Sequence, residues 1–299
     1  MSSSTILNVA VCGAENPLGA LFATEIQKSD NADLKLTILT TTEYATLLSE
    51  KFGKSVVSQV DYDDQQSLVA ALGNQDILIS TIAGNLIPIQ HKLIQAAAQT
   101  NLKLFVPSNF GPDILAPTNL LFNLFDGSRQ VLSALESLSV NHMIVCNGFF
   151  TEYYLTKFFN WDLENKTTSV YKDDVKASFT GLNDLIKYTL AAVRRYEEFK
   201  NHTLRLSAFT VTPREWIDAV ERISGNKVSV TQLPLDDLLQ DIKAMDHAPN
   251  DLDGIKKQML AVLATGGGVV DYDGFELDNS KFPDIKPQTL DDFVKASLL

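Results

Sequence analysis

The first motif of the chain is Thr5-Ile6-Leu7-Asn8-Val9-Ala10-Val11-Cys12-Gly13-Ala14-Glu15-Asn16-Pro17-Leu18-Gly19, in which an apolar run stops at a glycine. The run contains several β-branched residues, which is typical of a strand buried on both faces of a parallel sheet. After Gly19, apolar residues recur at helical spacing as far as Ile26. The segment therefore predicts a strand, a glycine turn and a helix in succession.

A strand, a glycine turn and a helix form the opening unit of many dinucleotide sites, where glycine lets the backbone approach a phosphate at the helix N-terminus. Read as Gly-x-x-Gly-x-x-Gly, the motif has Asn16 in its middle position. Asparagine tolerates positive φ, and proline suits a first helical position although it lacks an amide donor. We predict that a phosphate is bound by Gly13, Ala14, Asn16, Pro17, Leu18 and Gly19. The alternative is a turn that binds nothing.

The composition is that of an ordinary globular protein, with 45% hydrophobic and 21% charged residues in a chain of 299. This length suits one large or two smaller domains. The net charge of −12 argues against nucleic acid and against an anionic membrane surface as partners. The sequence shows neither a signal peptide nor an apolar stretch of membrane-spanning length, so we expect a cytoplasmic protein that could also be nuclear.

Cysteine and histidine give no sign of a disulfide framework or a metal site. Cys12 and Cys146 both lie in apolar runs, which predicts buried free thiols. The four histidines are scattered without the spacing of metal ligands, so we expect no metal.

The first half of the chain alternates strand-like and helix-like segments, which predicts an α/β fold with a doubly wound, mostly parallel sheet. Ligands bind such sheets at the carboxyl ends of the strands. We therefore assign to the cofactor the residues that follow the next four predicted strands: Thr41, Asp61, Thr81, Ala83, Ser108 and Phe110. Threonines 40 to 42 could hold a ribose phosphate with charge from Lys51 or Lys54, or could be ordinary strand-end residues.

The second half mixes predicted strands and helices. Thr212, Pro213 and Glu215 have the spacing of a capping box at a helix start. Aromatic residues between 153 and 161 could line a substrate pocket or pack a helix against the sheet. Residues 266 to 268 are all glycine and indicate either a helix stop or a mobile loop over a pocket.

Six motifs along the chain recur together in one known family. They are Val11-Cys12-Gly13-Ala14 with Leu18-Gly19, Val60-Asp61-Tyr62, Asp76-Ile77-Leu78-Ile79-Ser80-Thr81, Leu104-Phe105-Val106-Pro107-Ser108-Asn109-Phe110-Gly111-Pro112-Asp113, Val145-Cys146-Asn147-Gly148-Phe149-Phe150 and Asp271-Tyr272-Asp273-Gly274-Phe275-Glu276-Leu277-Asp278-Asn279. In these motifs the chain resembles the NmrA-like family of atypical short-chain dehydrogenases, in its isoflavone reductase-like and fungal aromatic-alcohol-reductase branch.

The resemblance implies a Rossmann-type NAD(P)-binding domain, placed at residues 1–150, and a smaller α/β substrate domain at residues 151–299, with chain crossings between them. It implies NADPH as hydride donor and a small aromatic substrate. We assign the substrate to Gly148, Phe149 and Phe150.

Four positions depart from the family pattern. Asn16 replaces a glycine, Thr41 an arginine and Asn109 a glutamate. Ser128 stands where the family's Phe-x-x-Lys pattern has its catalytic lysine, and serine cannot supply the charge of an ammonium. The catalytic residue is therefore unassigned, with Ser128, Tyr153 and Tyr154 as candidates.

Three functions remain open from the sequence. The first is an NAD(P)H-dependent reductase of a small aromatic or carbonyl substrate, with NADP(H) preferred over NAD(H) on the strength of the resemblance. The second is a non-catalytic NAD(P) sensor with a regulatory protein partner, which the missing lysine favours. The third is a relative that no longer binds a dinucleotide.

Overall fold

The computed structural model describes residues 6–28, 33–82, 86–245 and 251–298, apart from the side chain of Ser55. The chain forms two compact units. The first unit consists of Met1–Asn109, Gly127–Val145 and Thr189–Leu204. The second consists of Phe110–Asp126, Cys146–Tyr188 and Arg205–Leu299. One passage between units, after residue 145, lies near the boundary expected at 150, and the others lie elsewhere in the chain.

Strands and α-helices alternate from residue 7 to residue 106, and two further strands and a helix follow them. In order, these elements are β1 (Leu7–Cys12), α1 (Pro17–Gln27), β2 (Leu34–Thr40), α2 (Thr42–Phe52), β3 (Val57–Gln59), α3 (Gln65–Leu72), β4 (Ile77–Ser80), α4 (Ile87–Ala97), β5 (Leu104–Val106), β6 (Phe110–Gly111), α5 (Asp126–Ser137) and β7 (Met143–Cys146). A 3-10 turn at Lys54–Val56 precedes the short strand β3.

The first unit is built on a parallel sheet with the strand order β3-β2-β1-β4-β5. A parallel bridge from Phe105 to His142 extends the sheet toward β7. The order reverses direction between β1 and β4, and this topological switch point is where doubly wound sheets bind ligands. The Rossmann-type α/β fold expected from the sequence is confirmed.

Both faces of the first sheet are buried. Ala10 and Cys12 face a cluster made with helices α3, α4 and α5, whose members include Leu72, Ile94 and Leu135. Because neighbouring strand residues point to opposite faces, Val9 and Val11, which are also fully buried, cover the other side. Burial of both sets explains why the first strand reads as a continuous apolar run.

The second half of the chain contains shorter elements. They are β8 (Phe149–Phe150), α6 (Thr151–Tyr154), β9 (Trp161–Asp162), β10 (Thr167–Val170), β11 (Ala177–Thr180), α7 (Leu182–Arg194), α8 (Tyr196–Phe199), β12 (His202–Arg205), β13 (Phe209–Val211), α9 (Pro213–Ser224), β14 (Ser229–Gln232), α10 (Leu235–Lys243), α11 (Leu252–Ala264) and α12 (Leu290–Leu298). Helix α9 has the predicted capping box between Thr212 and Glu215. None of the helices that the structure describes is long and apolar enough to cross a bilayer.

The second unit has two small sheets, β14-β10-β9 and β13-β11-β8. Its core is an aromatic cluster around Trp216, whose ring centroid lies 4.7 Å from that of Tyr154 and 5.2 Å from that of Phe179. The aromatic residues near 153 to 161 therefore serve mainly to pack this core. The second unit contains about as many residues as the first.

Candidate functional site

The glycine turn after β1 depends on both of its glycines. Gly13 has φ +88°, in the left-handed region that favours glycine. A Cβ at Gly19 would overlap the carbonyl oxygen of Gly13, so α1 approaches the turn more closely than alanine would permit. The turn and the N-terminus of α1 thus have the close geometry that phosphate-binding loops require.

Asn16 is the N-cap of α1, with φ −94°, so its tolerance of positive φ is not used. Its Oδ1 accepts a hydrogen bond from the Gly19 amide at 3.0 Å. Its Nδ2 donates to the Thr81 carbonyl oxygen at 2.8 Å, at the carboxyl end of β4. The side chain therefore replaces the missing glycine by linking the helix start to the neighbouring strand, a role that the sequence motif did not reveal.

Thr81 stabilises the same turn. Its hydroxyl donates to the carbonyl oxygens of Cys12 at 2.9 Å and Gly13 at 3.2 Å. This hydroxyl therefore has partners within the turn. Pro17 occupies the first helical position, as predicted, and offers no amide.

The end of β2 carries two hydroxyl groups without partners. The Oγ1 atoms of Thr40 and Thr41 are buried and have no hydrogen bond among the described residues. Thr41 is the N-cap of α2, yet its hydroxyl does not cap the helix. Buried polar atoms are normally satisfied, so these two hydroxyls point to a ligand or an ordered water.

Lys51 and Lys54 lie at the opposite end of α2 from Thr41. Ten residues of helix at 1.5 Å each separate Thr41 from Lys51 by about 15 Å. Lys51 instead lies over the Phe52 ring, with its Nζ 5.1 Å from the ring centroid. The suggestion that these lysines supply charge to a phosphate at Thr41 is therefore wrong.

The other residues assigned to the cofactor have varied environments. Asp61 is exposed, and its Oδ1 accepts a hydrogen bond from the Asp63 amide at 2.8 Å. The Ser108 amide donates to Oε1 of the buried Gln90 at 2.9 Å. Ala83 lies outside the described residues. Phe110 is half-buried and belongs to the second unit.

Both cysteines are buried free thiols, as predicted. Burial raises the pKa of Cys12 to about 12, although a hydrogen bond with Tyr62 opposes the increase. Burial also raises the pKa of Cys146. Neither thiol is therefore ionised near neutral pH, and neither suits a role as nucleophile. Among the described residues, no group of three histidine, cysteine or acidic side chains is placed to hold a metal ion.

The three catalytic candidates differ in exposure. Ser128 is half-buried in α5 and carries no charge. Tyr153 is 47% exposed, whereas Tyr154 is 2% exposed within the aromatic core. Burial raises the pKa of Tyr154, so this phenol stays protonated and is enclosed by packing. Tyr154 is therefore ruled out as an acid or base, while Ser128 and Tyr153 stay candidates.

Part of the segment assigned to the substrate, residues 148 to 150, packs inside the second unit instead. Gly148 has φ +66°, and a Cβ there would overlap the Ser178 carbonyl oxygen. Phe149 is 1% exposed and packs against Phe159 and Phe179, so its ring belongs to the core and not to an open pocket. Phe150 is half-buried beside Tyr153, with ring centroids 5.9 Å apart, and stays a candidate for substrate contact.

The glycines at 266 to 268 form a helix stop and not a mobile loop. Helix α11 ends at Ala264, and Gly266 has φ +84°. The Gly267 carbonyl accepts from Nδ2 of Asn119 at 2.7 Å. The Gly268 carbonyl accepts from the Ser178 amide at 3.1 Å. These contacts hold the segment against the core of the second unit.

Arg205 is the residue that sequence reasoning missed. Its Nη2 lies 2.7 Å from Oδ2 of Asp113, and the two side chains are 11% and 2% exposed. The Tyr272 hydroxyl donates to the same Oδ2 at 3.0 Å, and the Arg205 amide donates to Asp278 at 2.8 Å. The motif ending at Asp113 and the motif spanning 271 to 279 thus converge on one arginine, which no local pattern marks.

The parallel sheet, the glycine turn and the strand-end hydroxyls define a Rossmann-type α/β protein with a candidate dinucleotide site. The chain matches the NmrA-like family over residues 7–294 and belongs to that family. The resemblance deduced from the motifs is thereby confirmed.

Relatives in this family are named as reductases. Isoflavone reductase homolog P3 of Arabidopsis thaliana is 26% identical over 246 residues, which cover 78% of each chain. Pinoresinol reductase 1 of Arabidopsis thaliana is 26% identical over 268 residues, which cover 83% of this chain and 82% of the other. A solved structure described as AtPrR2 with NADP+ and (+)pinoresinol has a TM-score of 0.79 and 21% identity, covering 97% of this chain and 98% of that one.

Proposed function

We propose that the chain is an NAD(P)H-dependent reductase of a small aromatic or carbonyl substrate, with NADP(H) as the preferred cofactor. Membership of the NmrA-like family and the reductase names of the relatives support the reaction class. The NADP+ in the solved relative supports the choice of cofactor.

The observation that carries the proposal is the pair of unpartnered hydroxyls on Thr40 and Thr41, at the strand end next to the glycine turn. In doubly wound folds the residue after the second strand contacts the adenosine ribose or its 2′-phosphate. A buried hydroxyl that the protein leaves unsatisfied suits an oxygen-rich ligand there. The residues present therefore fit a dinucleotide.

Each part of the first unit has a separate task in this proposal. The turn at Gly13 and the N-terminus of α1 hold the pyrophosphate, and Thr41 holds the ribose end. The bound dinucleotide supplies the hydride. Ser108, after β5, lies along the same sheet edge as these residues because carboxyl ends of parallel strands share one edge.

A non-catalytic sensor of the NADP(H) state is the second candidate function. Ser128 favours it, since a serine cannot hold or move a proton as a lysine of lowered pKa does. A sensor of this kind would act through a regulatory protein partner.

Calorimetric titration with NADPH, NADP+, NADH and NAD+ tests the proposal. We expect NADPH to bind with a micromolar dissociation constant and NADH more weakly. Binding followed by NADPH consumption in a screen of aromatic ketones and aldehydes supports the reductase. Equal binding of NADPH and NADP+ without turnover supports the sensor, and failure of all four to bind refutes both.

Two variants at position 128 separate the reductase from the sensor. Ser128→Lys restores the family's amine, so NADPH consumption should increase if chemistry is limited by its absence. Ser128→Ala is the matched control. If the reductase uses the serine hydroxyl, this variant should consume NADPH more slowly than the wild type. A sensor shows no turnover in any of the three proteins while its NADPH affinity stays unchanged.

A further inference from the structure

The second unit contains a pocket that the reductase proposal does not use. Its volume is about 570 Å³, and it lies between β9, α9 and α12. Small-molecule sites in proteins have volumes of roughly 300–1,000 Å³. The apolar floor of the pocket is formed by Trp161, Leu163, Val220, Ile223, Val228 and Leu298.

Two lysines line the same pocket. Lys166 donates from Nζ to Oδ1 of Asn226 at 2.9 Å, and Asn226 is also a lining residue. Lys295 is exposed and extends from α12. In the part of the chain that the structure describes, neither ammonium has a carboxylate oxygen within 4.0 Å. Asp291 and Asp292 on the same helix interact with Lys295 at longer range, and its charge contributes to lowering their pKa values. Because neither carboxylate forms a close ion pair with it, Lys295 and Lys166 can both contact a ligand.

The acidic residue of the pocket does not neutralise these lysines. Asp162 accepts hydrogen bonds from the amide and from Nδ2 of Asn165, each at 3.0 Å. Lys157 lies 3.8 Å from the same carboxylate. The hydrogen bonds from Asn165 hold the pKa of Asp162 below its ordinary value, so its charge is already stabilised within its own turn.

The backbone of Lys166 is fixed in a conformation that is uncommon for lysine. Its φ is +55°, in the left-handed region, and its carbonyl oxygen accepts from the Ser229 amide at 2.8 Å. Such conformations persist where the surrounding structure determines them, and they concentrate at binding sites. The contact between Lys166 and Ser229, next to the pairing of β10 with β14, thus fixes the position of Lys166 at one end of the pocket.

We propose that this pocket binds an amphipathic carboxylate, with its apolar body on the floor and its carboxylate at Lys166 and Lys295. The net charge of −12 opposes the approach of any anion, so the apolar body must provide most of the affinity. The two lysines, which form no close ion pair with a described carboxylate, then select a carboxylate over a neutral head group. This site is independent of the dinucleotide site and of the proposed reaction.

Titration with dodecanoate, below the concentration at which it forms micelles, tests the proposal on the full chain. We expect one site by calorimetry and a change in tryptophan emission, because Trp161 lines the pocket. Dodecanol, which has the same tail without the charge, should bind about tenfold more weakly, because it cannot form charge-assisted contacts with the two lysines.

The double variant Lys166→Gln with Lys295→Gln should bind dodecanoate about tenfold more weakly than the wild type and should bind dodecanol equally well. Lys172→Gln is the matched control, because Lys172 is exposed but does not line the pocket. Ile223→Trp fills the floor and should abolish binding of both probes, with folding verified by circular dichroism. Equal dodecanoate affinity in wild type and double variant, or unchanged binding in a folded Ile223→Trp protein, overturns the proposal.

Discussion

The buried ion pair between Arg205 and Asp113 gives the sharpest stability prediction. Arg205→Met leaves the Asp113 carboxylate, which is 2% exposed, without its cationic partner. Removing one partner of a buried pair costs about 3–5 kcal/mol, because a charge stays buried and uncompensated. The variant also loses the stacking of the guanidinium on Phe275, whose ring centroid lies 4.0 Å from Cζ. We expect a loss of about 4 kcal/mol of unfolding free energy.

Tryptophan fluorescence is the assay that isolates this effect. The chain has two tryptophans, and both Trp161 and Trp216 belong to the second unit, as Arg205 does. For a unit of this size, 1 kcal/mol corresponds to about 2–4 °C in midpoint temperature. The fluorescence midpoint of Arg205→Met should therefore fall by roughly 8–16 °C.

Arg222→Gln is the matched control in the same unit. Arg222 pairs with Asp291 at 2.6 Å, but the side chains are 58% and 40% exposed. Exposed pairs contribute little to stability, so this variant should shift the midpoint far less than Arg205→Met does. The double variant Arg205→Met with Asp113→Asn should be more stable than the sum of its single changes predicts. Equal midpoints for Arg205→Met and Arg222→Gln would refute the reasoning.

Three further predictions concern other parts of the chain. Asn16→Gly frees the Gly19 amide at the start of α1 and should raise NADPH affinity about tenfold by calorimetry. Asn16→Asp should lower NADPH affinity by charge repulsion with the phosphates. Tighter NADPH binding by Asn16→Asp than by Asn16→Gly would contradict a phosphate site at this turn. Gly148→Ala should lower the free energy of urea unfolding by about 3 kcal/mol, because its φ is positive and its Cβ would overlap Ser178. Gly225→Ala, where φ is +71° but the space around the Cβ is open, should lower it by only about 1 kcal/mol. Partial burial raises the pKa of the Asp76 carboxyl, but hydrogen bonds from Asn8 and Lys103 lower it by more. The pKa of Asp76 therefore lies below its ordinary value. The ionised Asp76 therefore stabilises the fold above the ordinary carboxyl pKa, and this stabilisation is lost as pH falls through the pKa of the folded state. Asp76→Asn should make the unfolding free energy depend less on pH in the acid range. An unchanged pH dependence would contradict this prediction.

The departures from the family pattern have different structural consequences. Asn16 is accommodated, because its side chain joins the helix start to Thr81. Thr41 leaves a buried hydroxyl without a partner, at the place where a ribose is bound in such folds. Ser128 removes the amine that could hold or transfer a proton in the reaction. The question of function therefore rests more on position 128 than on the glycine turn.

Local sequence patterns are sufficient to predict the α/β class, the glycine turn and the start of α9. These features follow from local periodicity, from turn residues and from caps such as Thr212, all of which act over a few neighbouring residues. The same patterns also predict the buried state of both cysteines, because each lies within a continuous apolar strand.

The remaining features depend on residues that are far apart in the chain and meet only in the folded protein. The role of Asn16 depends on Thr81, which lies 65 residues away, and the ion pair of Arg205 joins residues 92 positions apart. Tyr154 and Phe149 could not be assigned to core or pocket until the second unit brought Phe179 and Trp216 beside them. Local patterns carry no information about such partners, since packing across the chain decides which polar groups are satisfied and which are left for a ligand.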